Sequence, residues 1–319
     1  MLKNVCCEGG GVKGLALCGA AQAFKEKGLW DNLQNFVGTS AGAIFALMAS
    51  IGYSVDEIKD IMFEIDFSKF KDRELLVKQA YNFFKYYGLH SGNYFTGFIQ
   101  DLIFNKFGKY DADFSDLKKL TGKGLFIIGS NLSTRASEVF CYENTPLMPL
   151  WKAVRISMSI PFYFKSQYHD WPVRDPYNEN KEIIKPCLWG DGGIFLNYPI
   201  QFFDSEKFCK PDEYGHYINM ESVGFKLDNA DQIDVLKNHM VPTGQNITSV
   251  KKYVEAIIDS LMGAMDNYYR TSDDWKRTIF IDTLGIGTTQ FNLSLKNKKD
   301  LFDSGYKSAL EFLSGVRNV

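Results

Sequence analysis

Three short glycine-bearing segments carry the groups best suited to chemistry in this chain of 319 residues. The first, Gly9-Gly10-Gly11-Val12-Lys13-Gly14, follows the apolar run Val5-Cys6-Cys7 and opens a helical pattern. Amide N–H groups at a helix start have no intrahelical partner, and glycines let a negatively charged oxygen come close to them. The second, Gly38-Thr39-Ser40-Ala41-Gly42, is a G-x-S-x-G between a strand and a helix. Small neighbours at those positions permit a strained turn that projects a serine hydroxyl. The third, Asp191-Gly192-Gly193, closes a strand candidate, at the carboxyl end where α/β sheets place their chemistry. A serine hydroxyl, a carboxylate and a row of free amides are the parts of an acyl-transfer site: nucleophile, base and oxyanion donors.

Other chemistries compete for the same residues. Gly9, Gly11 and Gly14 also satisfy G-x-G-x-x-G, the dinucleotide fingerprint. That reading requires an acid at the end of the next strand, and Asn35-Phe36-Val37 runs directly into Gly38-Thr39-Ser40. A P-loop fails because Leu15 follows Gly14 where its lysine would stand. Serine followed by aspartate is also the order of an α/β-hydrolase triad whose histidine comes last. His216 and His239 lie downstream in polar stretches that read as surface, and His90 and His169 precede Asp191. Read from the residues alone, a histidine-free pair and a triad both stand. Lys13 reads as a contact for a phosphate head group or as a residue that orients the loop. Arg155 reads as an anion contact, or as part of a surface or structural ion pair.

Together these segments resemble the patatin-like phospholipases. Ser157-Met158-Ser159-Ile160-Pro161 and Asn197-Tyr198-Pro199 extend the likeness over about residues 3–200. The strand around Phe280 and the helix bearing Gly305-Tyr306 resemble the bacterial-type members. Glu8 departs from the pattern, standing where Asp is commoner. The resemblance implies an α/β fold of three α/β/α layers, with a mostly parallel central sheet and a helical, aromatic cap region. It implies a dyad of Ser40 as nucleophile and Asp191 as base, without histidine. Oxyanion donors would come from the loop of Gly9, Gly10, Gly11, Val12, Lys13 and Gly14, with Gly38, Gly42, Gly192 and Gly193 supporting the turns. The implied activity is that of a lipid acyl hydrolase of phospholipase A or lysophospholipase type, calcium-independent and without a cofactor or metal, acting on a phospholipid or other acyl lipid. A short-chain carboxylesterase and a catalytically silent lipid- or partner-binding module of the same fold are the alternatives. An activating protein partner is left open.

The elements that must hold these groups follow from periodicity. Residues 2–7 and 35–37 read as strands, each followed by a helix (13–27 and 41–51), which is the start of a parallel α/β sheet. Further strands are predicted at 124–129, 138–142, 186–191, 221–227 and 277–282. Helices are predicted at 56–65, 72–87, 94–107, 150–157, 247–268 and 299–313. Residues 168–183, with Pro172, Pro176 and several charges, read as a loop insertion. Nothing resembles a linker, so a single domain is expected over residues 1–319, with the motifs in 3–200 and residues 201–319 completing the fold.

Composition narrows the partners. With 36 Lys and Arg against 38 Asp and Glu, no bulk positive charge is available for nucleic acid. Residues 36–55 carry no charge, but their glycines and serines favour a buried helix over a membrane span. The N-terminus lacks a signal-peptide pattern, and the six cysteines lack metal or disulfide spacing. A cytoplasmic or peripheral membrane location is therefore expected. Aromatic residues make up 15% of the chain. Leu76, Ala80, Phe83, Phe84 and Tyr87 share helical spacing, and Tyr94, Phe95, Phe98, Phe104 and Phe107 follow; Phe162-Tyr163-Phe164, Tyr168 and Trp171 form another cluster. They read individually as core, or together as a cap or acyl groove. Basic runs are sparse, so any transient membrane contact is expected to use apolar and aromatic side chains.

Overall fold

The repeated strand–turn–helix at the N-terminus forms the centre of a mixed sheet. The structure is a computed structural model and describes all residues except 73, 239, 242, 245, 265–270 and 316–319. The strands are β1 (Asn4–Cys7), β2 (Asn35–Gly38), β3 (Gly88–His90), β4 (Gly124–Asn131), β5 (Ala136–Phe140), β6 (Phe162–Phe164), β7 (Gln167–Asp175), β8 (Asn178–Asp191), β9 (Ser222–Asp228) and β10 (Thr278–Asp282). The helices are α1 (Leu15–Glu26), α2 (Ala41–Ser50), α3 (Val55–Glu64), α4 (Leu76–Tyr86), α5 (Asn93–Phe107), α6 (Phe114–Thr121), α7 (Leu150–Ser157), α8 (Ala230–Asn238), α9 (Val250–Ala264), α10 (Ser272–Lys276) and α11 (Leu295–Leu313).

The main sheet has the order β10-β9-β1-β2-β4-β8-β7, with β5 also paired to β4. Its β10-to-β4 portion is parallel, whereas β5, β8 and β7 join antiparallel. The sheet is thus mixed and mostly parallel, flanked by helices. Alternate residues serve opposite faces, as a strand period of two requires. Val5, Cys7, Phe36, Leu125 and Ile127 pack into the larger core with α1 and α2. Cys6, Val37, Phe126 and Ile128 pack on the other face against Tyr198, Ile200 and Phe203. Adjacent Cys6 and Cys7 therefore serve different cores, as expected for a strand.

Several elements differ from the sequence reading. Residues 168–183 are not a loop: they belong to the β7–β8 hairpin, in which Pro172 stands opposite Ile184. β7 is the outermost strand of the order, where a proline's missing N–H costs no ladder bond. Helix α6 comes as an addition; Asp113 caps it and makes a reciprocal capping box with Asp116. Helix α8 is a second addition. Helix α4 starts at Leu76 rather than at residue 72, because Asp72 ends a preceding 3-10 turn at a φ of 46°. Asp72 instead accepts the amides of Gly92, Asn93 and Tyr94 at the start of α5. Within 247–268, the helix runs Val250–Ala264, and residues 265–268 lie outside the described residues. Residues 36–55 form β2, the turn and the wholly buried α2. Among the described residues no helix is long and apolar enough to cross a membrane.

Candidate active site

One edge of β4 brings Ser40 and Asp191 together. Gly38, the last residue of β2, pairs with Ile127, and Asp191, the last residue of β8, pairs with Gly129. β5 occupies the opposite edge from Ile127 to Asn131. β2 and β8 therefore run toward each other along the same edge, and their ends meet there. Residues 151 positions apart in sequence end within hydrogen-bond reach: Ser40 Oγ donates to Asp191 Oδ2 at 2.8 Å.

The turn after β2 projects the serine. Ser40 has φ 53° and ψ −122°, a backbone region that costs a side-chain-bearing residue roughly 1–3 kcal/mol. Its amide donates to Ser157 Oγ at 2.9 Å, which holds the strained peptide from across the site. α2 crosses so close to the end of β1 that a Cβ on Gly42 would lie 2.2 Å from the Cys7 carbonyl oxygen. Gly38 faces Gly42 in the same way, so both glycines of G-x-S-x-G are required by contact between backbones. The thioether of Met158 is 3.3 Å from Ser40 Oγ, but the carboxylate is nearer and the better acceptor.

Asp191 is fully buried. Burial pushes its carboxyl up from 3.8 to about 7, and the N–H of Gly193 and the hydroxyl of Ser40 hold it down only in part. Gly193 N–H donates to Oδ1 at 2.8 Å, leaving Oδ2 facing Ser40. The Asp191 amide donates to the Ser159 carbonyl at 2.9 Å. Ser157 and Ser159 on one short segment thus hold the backbones of both Ser40 and Asp191. This buried pair, with a carboxyl that ionises near neutral pH, can accept the serine proton as the hydroxyl attacks an electrophilic carbon.

The glycine loop lies against the serine. A Cβ on Gly9 would lie 3.1 Å from Ser40 Cβ. Within Gly9 to Gly14 the amides are not equivalent. Gly9 N–H donates to Asn197 O, Val12 N–H to Thr288 O and Lys13 N–H to Gly10 O. Gly14 closes the 3-10 turn Gly11–Gly14 that leads into α1. Among the described residues the amides of Gly10 and Gly11 have no such partner, which narrows the six-residue loop to two available donors. Gly11 has a φ of 57° and its Cα approaches Thr288 O, so a side chain is excluded there twice over.

Asn197 fastens this loop. Its Nδ2 donates to the Gly9 carbonyl (3.3 Å) and to Glu8 Oε1 (3.4 Å). Glu8, the departure from the family pattern, is buried and ion-paired to buried Lys226 at 2.6 Å. It also accepts the Leu227 amide, so the longer side chain joins the loop to β9. From the sequence, Ser157 and Asn197 carry no role beyond their family segments; their hydrogen bonds exist only once distant strands are assembled.

A cleft of about 880 Å³ opens beside the loop, lined among others by Gly9, Lys13, Asn197, Met262 and Thr288. Ser40 and Asp191 are themselves fully buried. Gly9 and Met262 line the cleft, and a Cβ on Gly9 would lie 3.1 Å from Ser40 Cβ and one on Gly193 2.7 Å from Met262 Cε, so the Ser40–Asp191 pair sits behind them. Gly192 packs under Ile128 O, where a side chain would collide.

The remaining candidates fall elsewhere. The Asp191 carboxylate is hydrogen-bonded by Ser40 and Gly193, and no histidine among the described residues joins it. His216 is exposed beside Asp212. His90 packs at a tilt against Tyr163, His169 packs among Phe140, Trp171 and Trp189, and His239 lies outside the described residues. Arg155 is neither a surface residue nor, among the described residues, an ion pair. It is buried and donates to Ser159 Oγ and to the carbonyls of Ser91 and Lys165. Its burial pushes the guanidinium down to about 10. All six cysteines are free, and burial pushes the Cys7 and Cys18 thiols up, away from the thiolate. Among the described residues no three of His, Cys, Asp and Glu converge on a metal position.

With this geometry in hand, the chain can be set beside known proteins. The family model described as "Patatin-like phospholipase" matches residues 5–204. Uncharacterized protein R571 of Acanthamoeba polyphaga mimivirus is 30% identical over 315 residues, covering 96% of this chain and 92% of that protein. Probable lipid hydrolase 463L of Invertebrate iridescent virus 6 is 29% identical over 206 residues, 62% of each chain. Among solved structures, VipD from Legionella pneumophila superposes with a TM-score of 0.57 at 16% identity, covering 98% of this chain and 67% of VipD. The matched span holds the glycine loop, the serine turn and the Asp191 strand end, and the chain belongs to the patatin-like phospholipase family, a family of lipid hydrolases.

Proposed function

We propose that this protein is a lipid acyl hydrolase that cleaves fatty-acyl esters of phospholipids or lysophospholipids through an acyl-Ser40 intermediate. The observation that carries this reading is the 2.8 Å hydrogen bond from Ser40 to a buried Asp191 whose carboxyl is poised near 7. Ser40 Oγ attacks the acyl carbonyl carbon while its proton passes to Asp191 Oδ2. The carbonyl oxygen, now anionic, is received by the amides of Gly10 and Gly11, a kind of donor worth about 3–4 kcal/mol each on removal. The tetrahedral intermediate collapses with departure of the glycerol oxygen, which takes the proton from Asp191. A water molecule then attacks acyl-Ser40, with Asp191 again as base, releasing fatty acid and restoring the hydroxyl. Family membership supports a lipid substrate, and the cleft beside the loop supports an approach over Gly9. The test is product analysis on a mixed phospholipid extract: wild type releases fatty acid and lysophospholipid or a deacylated head group, and Ser40→Ala releases neither. Hydrolysis confined to short soluble esters would point instead to a carboxylesterase.

Two expectations follow from the geometry. Only the ionised carboxylate accepts the serine proton, so kcat/KM rises with pH and levels off above about 7, following Asp191. A profile that is flat from pH 5 to 9 would remove Asp191 as the base. Replacing His90, His169, His216 or His239 singly by Ala leaves ester hydrolysis within about threefold of wild type, since the proposed mechanism passes no proton through a histidine and a substitution outside it acts only through stability. A thousandfold loss in one of them alone would restore the triad.

A further inference from the structure

Helix α4 leaves most of its apolar residues exposed. A helix on a protein surface normally buries an apolar stripe and shows water its polar face. Of the eleven residues of α4, the buried one is Asn82. It is anchored by polar contacts, donating through Nδ2 to Glu74 Oε2 at 3.0 Å and to the Leu89 carbonyl at 3.3 Å. Outward stand Leu76, Val77 and Phe84, each more than four-fifths exposed, together with half-exposed Tyr81. Leu75 just before the helix and Tyr87 just after it extend the same surface. The aromatic stripe expected from the sequence to be core or acyl groove is therefore largely at the surface, with Phe83 partly buried against Phe162. Contiguous apolar exposure of this kind marks an interaction site.

Charge selects the occupant. From residue 75 to residue 100 the chain contains no Asp or Glu, whereas α4 carries Lys85 and Lys78, the latter paired to Glu74. The two acids just upstream are turned inward. Asp72 is taken up by three amides at the start of α5, and Glu74 by Ser91, Asn82 and Lys78. Lys165 lies over the Tyr86 ring on the neighbouring segment. An exposed helix face of leucine, valine, phenylalanine and tyrosine, with lysines beside it, matches the headgroup and acyl boundary of an anionic bilayer.

This face is also tied to the site. Ser157 and Ser159, which hold Ser40 and Asp191, lead directly through Pro161 into β6, and β6 pairs with β3, which follows α4. Ser166 N–H donates to the Tyr86 carbonyl, and Arg155 clamps Ser91 and Lys165. We infer that the exposed face of α4 is the surface by which the enzyme docks on an anionic phospholipid bilayer, an inference that rests on the lipid-hydrolase reading above.

The test separates docking from chemistry. Full-length Ser40→Ala is floated with vesicles of phosphatidylcholine alone and with about one-third phosphatidylserine, with and without Leu76→Asp and Phe84→Asp together. These positions are exposed, and thermal melts check that the double variant folds. The expected result is binding to the anionic vesicles that weakens with salt and falls at least about tenfold in the double variant. With Ser40 intact, the same double variant hydrolyses a monodisperse short-chain ester at the wild-type rate and vesicle phospholipid at least about tenfold more slowly. Undiminished vesicle binding by the double variant overturns the proposal. A dimer that the double variant dissolves, with no vesicle binding by the parent, also overturns it and makes this face a protein interface. Failure of the wild type on every ester would instead defeat the hydrolase reading, while the Ser40→Ala flotation would still report on docking.

Discussion

Ser40→Ala and Asp191→Asn each lower ester hydrolysis by about a thousandfold or more, while both proteins remain folded. The reason is that the two groups act as one unit. In the proposed mechanism nothing else forms the acyl bond without Oγ, and nothing else takes the serine proton without the carboxylate; such units lose nearly all of their effect with either member. Ser40 Oγ has the Met158 thioether as its other neighbour, and a thioether is a weak acceptor that cannot substitute as a base. A steady-state assay on a monodisperse ester measures the loss.

Stability gives an independent sign. The native protein keeps the Asp191 proton up to about pH 7, whereas the unfolded chain loses it near 3.8. Between those values the native state binds more protons, so this group's contribution to stability falls as pH rises and reaches its full cost above about 7. That shift corresponds to a cost on the order of 4 kcal/mol in the ionised state. Asp191→Asn removes the cost, so its melting temperature exceeds that of wild type at pH 8, and the gap narrows toward pH 5. An Asn variant less stable than wild type at pH 8 would show that the buried carboxylate is better compensated than its surroundings indicate.

The second large effect is structural. Gly42→Ala drives a methyl group into the backbone of β1, where Cys7 O, Cys7 C and Glu8 O all lie within 2.6 Å of the new Cβ. None of these is a flexible side chain, and β1 is held on both sides by β2 and β9. The helix must therefore move away from the sheet, at a cost of about 3 kcal/mol. Chemical denaturation measures that loss. Because α2 begins at the strained Ser40, the displacement also moves Oγ away from Asp191, and activity falls with stability. A fully active, equally stable Gly42→Ala protein would mean that the G-x-S-x-G spacing has some other origin.

Particular residues mark how far the sequence is legible. The alternation through β1, β2 and β4 and the glycines at their ends identify parallel strands feeding helices, because period and turn chemistry are local. Pro172 misleads: the same residue reads as a loop breaker in sequence and as a tolerated member of β7 once that strand is known to be an edge. The spacing of Leu76, Ala80, Phe84 and Tyr87 reveals a helix face but not which way it points. That direction is set by Asn82, Glu74 and Ser91, whose hydrogen bonds form between separate segments. The loop of Gly9 to Gly14 is visible as a set of amides, while Asn197 and Thr288 decide which of them are already used.

Sequence alone determined what depends on neighbours along the chain: the serine turn, the glycine loop, the aspartate at a strand end and their order, together with the family they define. Tertiary structure decided what depends on neighbours across it. The shared edge of β4 placed Asp191 against Ser40. Burial, which no composition reports, moved that carboxyl toward neutrality, and the packing of α4 through Asn82 and Phe83 turned the rest of an apolar stripe outward. Sterics and hydrogen bonding between adjacent residues are written in local order. Desolvation and register between distant strands arise only when the chain has folded upon itself.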